Sequence, residues 1–412
     1  MKKHFLFLIV LVLAACRHDI TPDVEKPEQP GIFPDYADAT IPPNIAPLTF
    51  RTLTDATDGE ARYSADGKTI TARLTDDGFR PELEAWHELL AHAKGQDISI
   101  EVLTCENGQW VQYAPFTLHV ANEEIDPYLA YRLIPPGYEN WSTMGIYQRD
   151  LTSFTETPII ENRQTNNNCM NCHSFCNRDA GTMLFHMREK NAGTYLIRGH
   201  EIEKLDTKTD HTLSALVYPS WNGDGRHVAF SVNSTFQAFH PSDPNRIEVY
   251  DTASDVVVYD TEEHAIATSP LLSSTERMET FPTFSPDGRT LYFCSAPALP
   301  REQFREVRYS LCRISFDPAT HTFGNQVDTL FNAEAEQRSA SFPRVSPDGK
   351  HLMFTVSSYG NFSIWHKDAD LFLLSTETGK YRPMNEVNSP DVESYHSWSG
   401  NSRWFVFSSR RV

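Results

Sequence analysis

The chain is poor in cysteine, with 7 in 412 residues, and poor in positive charge: 36 Lys and Arg stand against 55 Asp and Glu, a formal net charge of −19. No run of basic residues offsets that field, which argues against a nucleic-acid backbone as partner. Long apolar runs are missing after the first sixteen residues, so no later segment has the length to span a bilayer as a helix. Also missing are a Gly-rich phosphate loop, a nucleophile motif and an acid and base paired at a telling spacing. Hydrolase readings therefore have little support in the sequence.

What is there begins with a leader. Lys2 and Lys3 precede an apolar stretch, "FLFLIVLVLAA", that ends at Leu13-Ala14-Ala15-Cys16. The three regions have the order of an export signal, and the last four residues resemble the lipobox of bacterial lipoproteins. That resemblance implies that 1–16 is a lipoprotein signal peptide whose Cys16 is lipidated and becomes the new N-terminus. Residues 17–45 are rich in Pro and acidic residues and lack periodicity, which predicts a flexible tether.

An internal repeat sets the fold class. "YPSWNGDGRHVAF" (218–230), "FPTFSPDGRTLYF" (281–293) and "FPRVSPDGKHLMF" (342–354) align without gaps, and "YHSWSGNSRWFVF" (395–407) is a worn fourth copy. Each copy reads as a short strand, a tight turn at Asp-Gly and an apolar strand returning antiparallel. "HSFCNRDAGTMLF" (173–185) fits the same pattern with one inserted residue. The repeat resembles that of TolB-like β-propellers over about 175–412, and the resemblance implies an all-β fold with five or six blades. The last copy runs out of chain after one hairpin, so strands within 129–160 are expected to complete its blade. Ahead of the propeller (136–412), residues 46–135 alternate like half-buried strands around "PELEAWHELLAHAKG", which predicts a small β-sandwich-like domain with one short helix.

Three cysteines and a histidine crowd into "CMNCHSFC" (169–176). Cys169, Cys172 and His173 have the spacing of a c-type haem attachment site, in which two thiols bind one porphyrin edge and the next histidine lies under the iron. This five-residue match resembles cytochromes c and implies one covalent haem c with His173 as proximal iron ligand. A tetrahedral metal site or a disulfide are the other readings of the cluster. His240 and His186 are the leading candidates for the opposite ligand, followed by His366, Met187 and Met144. Haem leaves Cys176 unexplained, as a buried strand residue or a partner for Cys105; pairing of Cys294 with Cys312 is also open.

"IDPYLAYRLIPPGY" and "MGIYQRDL" ahead of the cluster are similar to segments of exported propeller lipoproteins that carry one such motif. Taken together, the resemblances imply a membrane-anchored monohaem c-type cytochrome that passes electrons to or from a docked protein, more an electron carrier than an enzyme. Two alternatives remain. One is a TolB-like binding or scaffold propeller whose haem or metal is structural or sensory; the other is a haem-dependent oxidoreductase acting on a small ligand. The expected location is the cell envelope, lipid-anchored through Cys16, on the periplasmic face of the outer membrane or at the cell surface, with a redox or scaffold protein as partner and no nucleic acid.

Overall fold

The computed structural model describes residues 20–134, 143–209 and 212–411. Cys16 and its lipobox lie outside the described residues, as does the end of the "IPPGY" segment. Contacts divide the chain into two units, one of Met1–Glu124 with Leu151–Ser153 and one of Ile125–Asp150 with Phe154–Val412. Among the described residues no helix is long and apolar enough to cross a membrane.

The first unit is built on an eight-stranded sheet, consistent with the sandwich-like expectation. Alternation writes its core: Asp58–Ala65 buries every second residue, Ala61 and Tyr63 among them, and strands Lys68–Thr75 and Asp97–Glu106 flank it. One helix, Leu83–Ala93, buries Trp86, Leu89, Leu90 and Ala93, and the Glu82 carboxylate caps it by accepting from the Ala85 N–H. Trp86 meets Tyr63 edge-on at 5.8 Å. The segment 17–45 departs from the expected tether from residue 24 onward. Val24–Lys26 pairs parallel with Gln109–Tyr113, and Ala39–Ile41 pairs parallel with Phe116–Val120. Three-residue strands at a sheet edge need no periodicity, so composition alone misread them.

The second unit is a five-bladed β-propeller. Its innermost strands are Met170–Phe175, Leu216–Trp221, Arg277–Phe284, Ser339–Val345 and Glu393–Trp398, each followed by an antiparallel neighbour. All five inner pairs carry a register shift at the same place, and there a residue with positive φ sits: Cys172 (52°), Tyr218 (52°), Phe281 (52°), Phe342 (52°) and Tyr395 (48°). Such a bulge re-aims one side chain per strand. The re-aimed rings meet in succession, Tyr218 with Phe281 at 4.7 Å, Phe281 with Phe342 at 4.4 Å and Phe342 with Tyr395 at 5.3 Å. Cys172, which interacts with both Tyr218 and Tyr395, fills the remaining place.

The turns lock one blade to the next. Asn177 donates to the Gly223 carbonyl (3.1 Å), Asn222 to that of Gly288 (2.9 Å), and the Asp348 N–H to Ser402 Oγ (2.9 Å). Gly225, Gly288 and Gly349 take the positive φ that the Asp-Gly turns require, and Ser402 takes it in the worn copy. The fifth hairpin, Glu393–Trp398 with Phe405–Ser409, stands as a two-stranded sheet. Strands Tyr128–Leu133, Gly145–Asp150 and Glu156–Glu161, expected to complete it, instead pair with one another. Their apolar face, Met144, Ile146 and Ile160, packs on Met170, Met183 and Phe185 of the first blade. Burial against that blade satisfies the sheet without strand exchange.

Candidate metal centre

At one end of the second blade three side chains from distant parts of the sequence converge: His227, Asp260 and His321. His227 opens the strand His227–Phe239, and Asp260 closes its neighbour Ile247–Asp260, so antiparallel register places the two residues opposite one another. His321 comes from the third blade, in the turn between Ser310–Asp317 and Thr322–Phe323, with φ 56°. His321 Nε2 stands 3.4 Å from Asp260 Oδ2, and His227 Nε2 stands 3.7 Å from the same oxygen. A tetrahedral ion with bonds of about 2.0–2.1 Å has ligand-to-ligand edges of roughly 3.3 Å, so the spacing suits a first-row divalent metal.

Two of the three ligands, His227 and Asp260, are held by further hydrogen bonds. The Asp224 carboxylate, in the turn of the repeat, accepts from His227 Nδ1 at 2.5 Å and from the Arg226 and His227 N–H groups. That bond puts the proton on Nδ1 and leaves the Nε2 lone pair aimed at Asp260 and His321, as a metal-ligating imidazole requires. His227 is 3% exposed, and its Nε2 is buried without a hydrogen-bond partner. Burial alone would raise the Asp260 carboxyl, but hydrogen bonds from Arg226 and from the Glu262 and Glu263 N–H groups outweigh it and hold the group well below the usual carboxylate range. Arg226 is itself shared with Glu262 (3.5 Å) and Glu263 (2.8 Å). Three carboxylates therefore surround one guanidinium, with a fourth, Asp224, on His227 beside it, and the local field favours a cation.

The sequence-predicted cluster lies elsewhere, along the first strand of blade one. Cys172 occupies the ring position that aromatics fill in the other blades, and takes a backbone hydrogen bond from Tyr218. His173 stands where three other blades carry Pro219, Pro282 and Pro343; burial lowers its pKa, against a hydrogen bond with the Ala130 main chain. Cys169 packs among Met144, Met170, Met183 and Met187. A haem needs both thiols on one porphyrin edge and the imidazole beneath the iron. Here Cys172 serves an axial ring, Cys169 packs on an apolar cluster, and His173 is engaged by main chain.

The candidates for the opposite ligand are spread over several blades, with His186, Met187 and Met144 beside the motif and His240 and His366 elsewhere. His186 pairs across the strands with Asn171 and contacts Thr194 through Nδ1 at 3.2 Å; burial pushes it down to about 4. His240 follows the end of a blade-two strand, and its Nε2 has no partner. His366 contacts Glu248 at 3.0 Å. Met144 and Met187 are core residues. Cys176 is buried against Leu184, Trp221 and Phe230. Cys105, Cys169, Cys172, Cys176, Cys294 and Cys312 are all free thiols; Cys294 and Cys312 lie on adjacent strands but one register step apart.

The preference for an electron carrier over an enzyme is overturned by this arrangement, together with the cytochrome, haem and electron-transfer assignments. The donor set that the described residues assemble is two imidazoles and a carboxylate, which suits Lewis-acid chemistry. Sequence reasoning missed it because His227, Asp260 and His321 are 33 and 61 residues apart and form no local motif.

No family model and no curated protein matches the sequence. Among solved structures, an oligogalacturonate lyase from Vibrio parahaemolyticus is similar at 12% identity and TM-score 0.39, over 64% of this chain and 63% of that one. A GH74 enzyme from Niastella koreensis is similar at 10% identity and TM-score 0.36, over 69% and 36%. Dipeptidyl peptidase 4 from Porphyromonas gingivalis is similar at 9% identity and TM-score 0.33, over 76% and 54%. The chain thus spans less than two thirds of these proteins, and none of them lends it a residue role.

Proposed function

We propose that the protein is a metal-binding β-propeller of the cell envelope, with one divalent first-row ion held by His227 Nε2, Asp260 Oδ2 and His321 Nε2. The observation that carries this reading is the buried, unpartnered Nε2 of His227, fixed as an acceptor by Asp224 and facing a second imidazole and a carboxylate. Three protein ligands leave a tetrahedral ion one open position, the arrangement of catalytic rather than structural zinc. When bound, such an ion supplies a Lewis acid that polarises an oxygen of a small ligand or a water. The chain's own residues do the rest: Asp224 holds the His227 tautomer, and Arg226 fixes the Asp260 carboxylate. His321, a quarter exposed, forms the solvent side of the site.

The leader ending at Cys16 supports a lipid-anchored body in the envelope, and the propeller supports a scaffold on which a protein partner docks. The test is zinc titration of chelator-stripped protein by calorimetry. Wild type is expected to take up one ion with an affinity that His321→Asn lowers about 100-fold, since loss of one of three ligands is at least as costly as loss of an outer-shell partner. Asn tolerates the left-handed φ at 321, so the fold is spared. Equal affinity in the variant would refute the reading.

A further inference from the structure

The same two strands of blade two carry a second polar centre near their middle. From His227 to Asn233 is six residues, or roughly 20 Å of strand, so the two centres are separate. Asp251 is 7% exposed, and no cationic side chain among the described residues forms an ion pair with it. Its Oδ2 accepts from Asn233 Nδ2 at 2.9 Å and from Asn361 Nδ2 at 2.6 Å. Asn233 Nδ2 also lies 3.1 Å from Thr280 Oγ1, which meets Ser231 Oγ at 2.9 Å. Asn233 and Asn361 are 8% and 3% exposed, and the Oδ1 atoms of both are buried with no hydrogen-bond partner.

Asp251 also takes hydrogen bonds from Ser254 and Tyr309 but has no cationic partner among the described residues, and two orphaned amide oxygens beside such a buried carboxylate are costly to leave as they are. The oxygen and nitrogen of an amide are interchangeable by a half-turn of the side chain. Turning both amides would place an oxygen of Asn233 and one of Asn361 2.9 Å and 2.6 Å from Asp251 Oδ2, with the Thr280 hydroxyl 3.1 Å from the first of them. Without a cation that contact is repulsive. With one, it is the edge spacing of an oxygen cage whose bonds to calcium are about 2.3–2.6 Å.

We propose that Asp251, Asn233, Asn361 and Thr280 form a site for a hard divalent cation of the calcium class. Asp251 and Asn233 come from blade two, Thr280 from the first strand of blade three, and Asn361 from the 357–369 loop of blade four. A bound cation would therefore tie three blades together. The donor set differs from that of the triad: all oxygen here, mostly nitrogen there, so the two sites select different ions. Tyr218 and Tyr309 both interact with Asp251 and provide an optical reporter.

Terbium, a calcium mimic excited through tyrosine, is the probe, added to chelator-treated protein. One ion per chain is expected, with emission displaced by calcium, reduced at least tenfold by Asp251→Asn and retained in His321→Asn. Asn361→Asp, which adds a charge to the cage, is expected to tighten binding and serves if Asp251→Asn does not fold. Emission that is absent from wild type, or unchanged by both cage variants, would overturn the proposal. Loss of emission in His321→Asn alone would assign the ion to the triad and overturn it as well.

Discussion

Consider the chelator-treated protein with Asp251 replaced by Asn. The Asp251 carboxyl stands at about 7 when folded, against an ordinary value of 3.8. The folded state therefore binds this proton more readily than the unfolded state, so the stabilisation it brings is fully present below about pH 4 and is lost as pH rises to about 7. Each pKa unit is worth about 1.4 kcal/mol, so the ionised group costs roughly 4 kcal/mol at pH 8. Asn has nearly the same shape and no charge to bury, and its amide oxygen can accept from Asn233 and Asn361. Metal-free Asp251→Asn is thus expected to be more stable than wild type by up to about 4 kcal/mol at pH 8 and nearly equal near pH 4. Urea unfolding of both proteins at the two pH values reads this as a shift in midpoint. Saturating calcium should shrink or reverse the difference at pH 8, because only the wild-type cage binds the ion tightly. A difference independent of pH would refute the reasoning, since it would assign the effect to packing and not to a buried charge.

Other outcomes follow from the same physics. Phe281 is 2% exposed and touches rings on both sides of the axial circle, so Phe281→Ala should cost about 3–5 kcal/mol and lower the thermal midpoint accordingly. Because the six described cysteines are free thiols, a reducing agent should leave that midpoint unchanged, and a drop would reveal a disulfide. Arg226→Gln removes a positive charge that shares Asp260 Oδ2 with the metal, and is expected to tighten zinc roughly tenfold at low salt, measured by calorimetry. Weaker zinc binding in that variant would show that Arg226 orients the carboxylate more than it competes.

The propeller was legible because its repeat states a local need. Asp-Gly turns and alternating apolar strands write the same hairpin four times, and the fifth, at 173–185, needed one inserted residue. Less legible was the bulge: the sequence shows Tyr, Phe, Phe and Tyr ahead of Pro or His, but only the positive φ at those positions shows that they face one another. The same register places the motif at 169–173: Cys172 and His173 stand where the repeat has a ring residue and its follower. The metal triad could not be read from spacing, since antiparallel pairing joins His227 to Asp260 and blade packing brings in His321. A weak signal existed in the turn Asp224-Gly-Arg-His227, where the carboxylate precedes the histidine by three residues and can fix its tautomer.

The central claim is a metal ion on His227, Asp260 and His321, and the direct measurement is anomalous diffraction at the zinc edge from crystals of zinc-loaded protein. The account predicts one strong peak about 2.0–2.1 Å from the Nε2 atoms of both histidines and bonded to Asp260 Oδ2. An empty triad, with the peak on Cys169, Cys172 and His173 or nowhere in the propeller, would contradict it.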